Sequence, residues 1–298
     1  MRLEAFTIFD LWSKVLTLEK AKYILLFTRL ILPLPLRGEG RMRLGNAKQK
    51  LRILFCVALG FHYLCRKKEK GMRIGIIIAM EKELSQLRQL LTDPQETTQN
   101  GRIFHTGKIG KHEVVMQQCG IGKVNASSGA TEMLLTYHPD LILSTGCAGG
   151  ADVALNVTDV VVGTHYTYHD VYCGSEVAYG QFVGMPATFP ADDTLVQKAL
   201  SLNCETKIHG GLMVSGDWFV DSREKMRDIL SHFPQAKAVD MESCAIAQVC
   251  YTYHVPYLSF RIISDVPLSD HKASQYFDFW SRMANGSFEV TRSFIESL

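Results

Sequence analysis

Three stretches of this chain set acidic side chains directly behind apolar runs. Ala238-Val239 leads into Asp240-Met241-Glu242-Ser243. Tyr257–Ile263, with Arg261 inside it, leads into Ser264-Asp265, and Arg73–Met80 leads into Glu81 and Glu83. Each run reads as a buried strand, and open α/β folds build their sites at the carboxyl ends of such strands. Glu83, Glu242 and Asp265 would then meet at one edge of one sheet, an arrangement suited to general acid–base chemistry. Taken singly, Glu83 reads as a first-turn helix residue favoured by the macrodipole, and Asp265 as a cap on the turn Ser264-Asp265-Val266-Pro267. Asp240 and Glu242 resist that explanation, because a strand end between two apolar elements is costly ground for acids that bind nothing. Arg261 needs an acidic partner or an anion. It is either half of a structural ion pair or a guanidinium beside Glu83 and a reactive water.

Two glycine-rich segments accompany these acids: Gly120-Ile121-Gly122-Lys123 before a helix, and Thr145-Gly146-Cys147-Ala148-Gly149-Gly150 after a strand. Neither has Walker spacing, and the first lacks the third glycine of a dinucleotide fingerprint. Each alone is as well explained by tight strand–helix packing; together they suggest backbone approaching a small ligand. Trp218 and Phe219 read either as core or as rings that stack on a planar base. His169-Asp170 ends a strand, and a lone histidine is more often a structural group than a catalyst. No nucleophile–histidine pairing stands out, which discounts acyl transfer. The eight cysteines form no CxxC pair and no Cys/His cluster with zinc spacing, so no metal site is expected. They read as reduced, buried thiols of a cytosolic protein.

The elements that must position these residues alternate. Strands are expected at Arg73–Ala79, Glu113–Gln118, Leu141–Thr145, Asp159–Thr167, His209–Ser215, Ala236–Asp240 and Tyr257–Ile263. Helices are expected at Glu81–Leu91, Gly122–Tyr137, Thr194–Leu202, Ser222–His232, Glu242–Tyr253 and Tyr276–Ser297. Runs such as Ile76-Ile77-Ile78 are apolar on both faces, which marks strands buried between helix layers. The pattern argues a three-layer α/β sandwich. The segment Tyr168–Ala191 is long and aperiodic, and such loops are commonly functional.

Length and composition fit one large domain or two small ones: 298 residues, 47% hydrophobic and 21% charged. Charge is distributed unevenly. Residues 1–71 carry 15 Lys+Arg against 5 Asp+Glu, whereas the remainder carries 17 against 25. The two apolar runs of the basic part, Tyr23–Leu36 and Leu51–Cys65, fall short of the roughly twenty residues a bilayer span needs. No clean signal peptide opens the chain. The expectation is that residues 1–71 are a basic extension outside the fold, and that Met72, directly before the first strand, opens a catalytic domain over 72–298. A basic membrane-surface anchor and a nucleic-acid-binding tail are the competing readings of that segment.

The order of motifs carries a resemblance. Gly75–Glu83, Gly120–Val124, Thr145–Gly150, Tyr168-His169-Asp170, Val214–Asp217, Val239–Glu242 and Arg261–Asp265 follow one another as in a known family. From Met72 onward the chain resembles the bacterial 5′-methylthioadenosine/S-adenosylhomocysteine nucleosidases of the purine nucleoside phosphorylase superfamily. The resemblance implies a central mixed sheet flanked by helices, and hydrolysis of the bond between adenine N9 and ribose C1′ without cofactor or metal. It implies that Glu83 activates the water, with Arg261 and the loop at Cys147, Ala148 and Gly149 nearby. Glu242 would hold the ribose hydroxyls with Met241 against the sugar, and Asp265, supported by Ser264, would deliver a proton toward adenine N7. Phe219 would stack on the base, the backbone at Val220 would read its edge, and Met80 and Ile121 would complete the wall. An acid near N7 suits a poor leaving group, and an anion near the hydroxyls suits a ribose that becomes cationic. A buried strand end would raise the Asp265 pKa for that task. Cys147 stands where the family usually has serine, and Asp240 where glutamate is expected.

The resemblance further implies a homodimer, a place in methionine salvage and a cytoplasmic location, with an adenine nucleoside as partner and neither nucleic acid nor membrane. Two enzymes of related type compete. A purine nucleoside phosphorylase would need an anion site in the first loop, which here carries Glu81 and Glu83 instead. A 6-amino-6-deoxyfutalosine hydrolase of menaquinone synthesis would share the reaction centre and differ in the 5′ pocket, shaped by Tyr172–Ala191 and Tyr276-Phe277. A membrane-tethered or nucleic-acid-binding protein working through residues 1–71 would be of a different class altogether.

Overall fold

The computed structural model describes residues 71–268, Phe279 and residues 288–298. The basic segment 1–70 and the pair Tyr276-Phe277 lie outside the described residues. In chain order the described elements are β1 (Arg73–Ile78), α1 (Glu81–Arg88), β2 (Thr92–Gln99), β3 (Arg102–Ile109), β4 (His112–Gln118), α2 (Lys123–Tyr137), β5 (Leu141–Gly150), β6 (Val160–Tyr168), β7 (Phe189–Pro190), α3 (Asp193–Leu200), β8 (Ile208–Ser215), α4 (Arg223–His232), β9 (Ala236–Asp240), α5 (Ser243–Tyr253), β10 (Tyr257–Asp265) and α6 (Glu289–Ser297). The expected helix Tyr276–Ser297 is represented by α6; its earlier part lies outside the described residues.

All ten strands join one mixed sheet flanked by helices. Its order is β10-β6-β8-β9-β5-β1-β4-β3-β2, and β10 pairs again with β5, so five strands close into a ring from which β1, β4, β3 and β2 extend. The strands that read as apolar on both faces are the interior ones. β1 lies between β4 and β5, parallel to both, and every residue of β10 is buried. Burying such runs on two sides is the main source of stability available to them. The helices α2 and α5 pack on each other and on the sheet. The Ser222 hydroxyl caps α4 by accepting the Lys225 N–H.

β5 departs from expectation and matters most. Thr145–Gly150, read as a loop after a strand, is the second half of a ten-residue strand. It continues because β10 runs parallel beside it as far as Asp265↔Gly149, while Gly149 and Gly150 pair antiparallel with Val239 and Ala238 of β9. Glycine permits this crossing: a Cβ on Gly150 would sit 3.2 Å from both Ile263 and Val266 side-chain carbons. One strand thereby brings the ends of β1, β9 and β10 to the same place.

Three strands were not foreseen: β2, β3 and the two-residue β7. β2 is exposed along its whole length and holds Pro94, which fits an edge strand because proline cannot donate to a ladder. It joins β3 through Asn100-Gly101, both at positive φ, the backbone of a two-residue hairpin.

Candidate active site

The converging strand ends enclose a cavity of about 140 Å³. The β1–α1 turn contributes Ala79 and Met80, the first turn of α1 contributes Glu83, and β5 contributes Cys147, Ala148 and Gly149. Val239 and Asp240 come from the end of β9, Met241 and Glu242 from the β9–α5 turn, and Arg261, Ser264 and Asp265 from β10. Trp218, Phe219 and Val220, from the segment between β8 and α4, and Ile121 from the β4–α2 turn complete the wall. The structure thus brings every site residue proposed from sequence to one cavity. Ala79 and Val239 were not foreseen, and Trp218 had been weighed only as core or stacking ring. Glu83, Glu242, Asp265 and Arg261 are buried, whereas Phe219 is 58% exposed and Ile121 51%. Charge therefore lies at the bottom of the cavity, and an aromatic and an aliphatic side chain stand at its rim.

Glu83 sits in the first turn of α1. Its two oxygens accept backbone N–H groups, Oε1 from Cys147 at 2.9 Å and Oε2 from Met80 at 3.1 Å. Burial pushes its pKa up, opposed by those hydrogen bonds and by the charge of Arg261. A carboxyl raised in this way is suited to accept a proton near neutral pH. The departure from serine at Cys147 leaves the carboxylate held, because the backbone N–H holds it. Burial, with the nearby Glu83 charge, lifts the thiol's pKa well above its ordinary value, so the thiol stays protonated.

Glu242 precedes α5, and its Oε1 accepts the Gly122 N–H at 3.0 Å. Gly120 and Gly122 both lie at positive φ, 93° and 95°, so this turn requires glycine where it delivers that N–H. Burial pushes the Glu242 pKa up to about 7 against the pull of Arg261. Arg261 lies between the acids, with Nε 2.6 Å from Asp240 and Nη2 3.6 Å from Glu242. Burial works against its charge, but Asp240 and Glu242 outweigh it and hold its pKa above the ordinary value. The shorter acid at position 240 leaves no gap. Asp240 reaches Arg261 directly and accepts the Ser215 hydroxyl at 2.5 Å. Both forms weighed for Arg261 are therefore combined: it is an ion pair with Asp240 and a neighbour of Glu83.

Asp265 ends β10, and the Ser264 hydroxyl lies 2.7 Å from its Oδ1 and 3.2 Å from the Ala148 carbonyl. That hydroxyl can donate to the ionised carboxylate. It can also turn to the carbonyl and accept from the protonated acid. Opposite, Gly146 shows how closely the charged groups are packed: a Cβ there would lie 2.7 Å from Arg261 Nη1 and 2.8 Å from Glu83 Oε1. Gly146→Ala is expected to push both groups aside and to lower kcat/KM by about 10²-fold, the scale of an ångström's misplacement. Steady-state kinetics beside a melting curve will separate that loss from unfolding. Activity within threefold of the parent would show that the two groups tolerate displacement.

Among the described residues no cluster of His, Cys, Asp or Glu could hold a metal ion, and no helix is long and apolar enough to cross a membrane.

A carboxylate-lined cavity at the strand ends of a mixed sheet defines the phosphorylase class of fold, and residues 73–296 match the phosphorylase superfamily. A 5′-methylthioadenosine/S-adenosylhomocysteine nucleosidase of Staphylococcus epidermidis is 39% identical over 229 residues, 76% of this chain and all of that one. Its counterpart from Staphylococcus carnosus is 41% identical over 231 residues, with the same coverage. Among solved structures, the nucleosidase of S. pneumoniae with the transition-state inhibitor MT-ImmA superposes with a TM-score of 0.71 at 36% identity, covering 76% of this chain and 99% of that one. The Colwellia psychrerythraea enzyme in complex with adenine gives 0.71 at 34% identity, covering 76% and 96%. The chain belongs to the 5′-methylthioadenosine/S-adenosylhomocysteine nucleosidase family of that superfamily.

Proposed function

We propose that this protein hydrolyses the N-glycosidic bond of 5′-methylthioadenosine and S-adenosylhomocysteine, releasing adenine and the corresponding thioribose. One observation carries the reading: Glu83, Glu242 and Asp265 line a single cavity, with Arg261 buried beside the first two. In this reading adenine stacks on Phe219 at the rim, and the backbone at Val220 reads its edge. Asp265 gives a proton toward N7 as the C1′–N9 bond lengthens and its electron pair moves into the base. Anionic Glu242 holds the ribose hydroxyls, with Met241 against the sugar, and balances the positive charge growing on the ring. Water adds to C1′ and Glu83 takes its proton. Cys147 supports Glu83 through its backbone N–H, while Ala148, Gly149, Met80 and Ile121 shape the wall.

The cavity's charge argues against phosphate as the nucleophile. Arg261 is the one basic side chain on the described wall, and it is already matched by Asp240 and Glu242. An anion entering there would meet acids. The deciding assay is adenine release from 5′-methylthioadenosine in phosphate-free buffer. Release with no stimulation by added phosphate supports hydrolysis, and strict dependence on phosphate overturns it.

The same reading extends to a homodimer acting in methionine salvage in the cytoplasm. What supports the dimer is an exposed groove lined by Val124 and Leu135 of α2 together with Phe182; sedimentation as a monomer at micromolar concentration would remove it. Residues 72–298 are proposed as the whole catalytic domain, because the matched part of the chain spans the full length of the staphylococcal relatives. A chain beginning at Met72 is expected to keep kcat/KM within about twofold of the full chain, since no proposed site residue precedes it. A tenfold loss would give the basic segment a role in catalysis or folding.

A further inference from the structure

A buried polar chain behind Arg261 has no part in the steps above. Tyr257, Ser144, Ser259 and Ser243 are all buried, and their hydroxyls touch in series. Tyr257 Oη lies 2.7 Å from Ser144 Oγ, Ser144 donates to Ser259 at 3.0 Å, and Ser259 lies 2.8 Å from Ser243 Oγ. Ser243 in turn donates to Asp240 Oδ2. A hydroxyl has one proton, so the direction is forced. The ionised Asp240 accepts only and takes the Ser243 proton. Ser243 must then accept from Ser259, Ser259 from Ser144, and Ser144 from Tyr257. The remaining lone pair of Ser243 accepts the Arg261 Nε–H at 3.1 Å, the same N–H that faces Asp240 at 2.6 Å.

Four buried hydroxyls, three on sheet strands and one at the start of α5, are costly unless each is satisfied, and a fully satisfied network stiffens whatever it joins. This one joins Asp240 to the inner nitrogen of Arg261. The outer nitrogens of that guanidinium are then fixed toward Glu242, at 3.6 Å, and beside Glu83 over Gly146. We propose that Ser243 is a positioning residue of the active centre: backed by the donor chain Tyr257–Ser144–Ser259, it clamps Asp240 and Arg261 Nε so that the guanidinium stays between Glu83 and Glu242. The kinetic consequence rests on the hydrolase reading above; the clamp itself rests on geometry. The charged and titratable groups facing Arg261 are Asp240 from the end of β9, Glu242 from the β9–α5 turn, Glu83 from α1, the Cys147 and Cys119 thiols, and the Tyr166 and Tyr257 phenols.

The test compares Ser243→Ala, Ser259→Ala and Tyr257→Phe in the full chain. Its readouts are kcat, KM, the acid limb of kcat/KM, and hydrogen exchange at Arg261 Nε–H. Ser243→Ala is expected to lower kcat about 30-fold, the scale of a slightly misplaced group, with KM changed less than threefold. Its acid limb moves to higher pH, because a loosened guanidinium favours anionic Glu83 and Glu242 less. Nε–H exchange becomes about tenfold faster as its acceptor is lost. Ser259→Ala shifts the same readouts in the same direction by less, and Tyr257→Phe by least. Unchanged kcat and acid limb in Ser243→Ala, or equal losses of melting temperature in all three with nothing else moved, overturn the proposal. If the unaltered chain releases no adenine, the hydrolase reading falls, and the exchange rates still decide the clamp: faster in Ser243→Ala sustains it, unchanged removes it.

Discussion

Asp265→Asn is expected to lose about 10³-fold in kcat, within the range for removing a general acid, while KM stays within a few-fold. Asparagine nearly matches aspartate in shape, and the Ser264 hydroxyl 2.7 Å from Oδ1 keeps a partner, so the wall stays in place. What is lost is a transferable proton. The loss should therefore depend on the leaving group. A nucleoside whose base departs without protonation should be cleaved by the variant at nearly the parent rate, whereas 5′-methylthioadenosine should be almost inert. Parallel kinetics on the two substrates check this. Turnover of 5′-methylthioadenosine within tenfold of the parent, or an equal loss on both substrates, would remove Asp265 from the acid role.

The acids were legible because the sequence isolates them. An Asp or Glu within a few residues of the end of Ile76-Ile77-Ile78 or Ile262-Ile263 has few structural reasons to be there, and the apolar runs mark which end of each strand carries it. The interior strands were legible for the same reason: burial on both faces leaves an unbroken apolar run. β2 was not, because Thr-Asp-Pro-Gln-Glu-Thr-Thr-Gln is solvated throughout and held mainly by backbone pairing to β3. The one local signal was Asn100-Gly101, a strong hairpin dipeptide flanked on one side by too polar a strand to be noticed. The second half of β5 was illegible for a different reason. Gly146, Gly149 and Gly150 look like a loop by composition, and only the paired strands β9 and β10, nearly a hundred or more residues away, make them a strand. Asp240 stood out as an acid at a strand end, but its contacts were hidden similarly. Its partners Ser215, Ser243 and Arg261 are brought together by three separate elements, and a serine in a strand or at a helix start announces nothing by itself.

Glu242→Gln should separate function from stability. Burial raises the carboxyl from its ordinary value of 4.5 to about 7, despite the attraction of Arg261. A group whose folded pKa is raised contributes stability that is fully present below its unfolded pKa and is lost as pH rises through the folded one. Glu242 therefore favours the fold below about pH 4.5 and progressively ceases to between there and pH 7. At pH 8 the folded protein carries a buried anion that the unfolded chain would hydrate. At ~1.4 kcal/mol per pH unit of displacement, the penalty is on the order of 3 kcal/mol, or roughly 5–10 °C in Tm for a domain of this size. Glutamine removes the charge and keeps an oxygen for the Gly122 N–H. It does not strand Arg261, whose nearer partner is Asp240 at 2.6 Å rather than Glu242 at 3.6 Å. The variant should melt several degrees higher than the parent at pH 8 and close to it at pH 5. Its kcat/KM should fall about 10³-fold, because a neutral amide no longer balances the ribose cation. Substrates lacking the 2′- or 3′-hydroxyl should lose much less on the substitution. A lower Tm at pH 8 would mean that the ion pair with Arg261 outweighs the burial of the charge; full activity would mean that the sugar is held elsewhere. A site that is least stable in the charge state its chemistry needs is what a catalytic carboxylate buried beside an arginine should show.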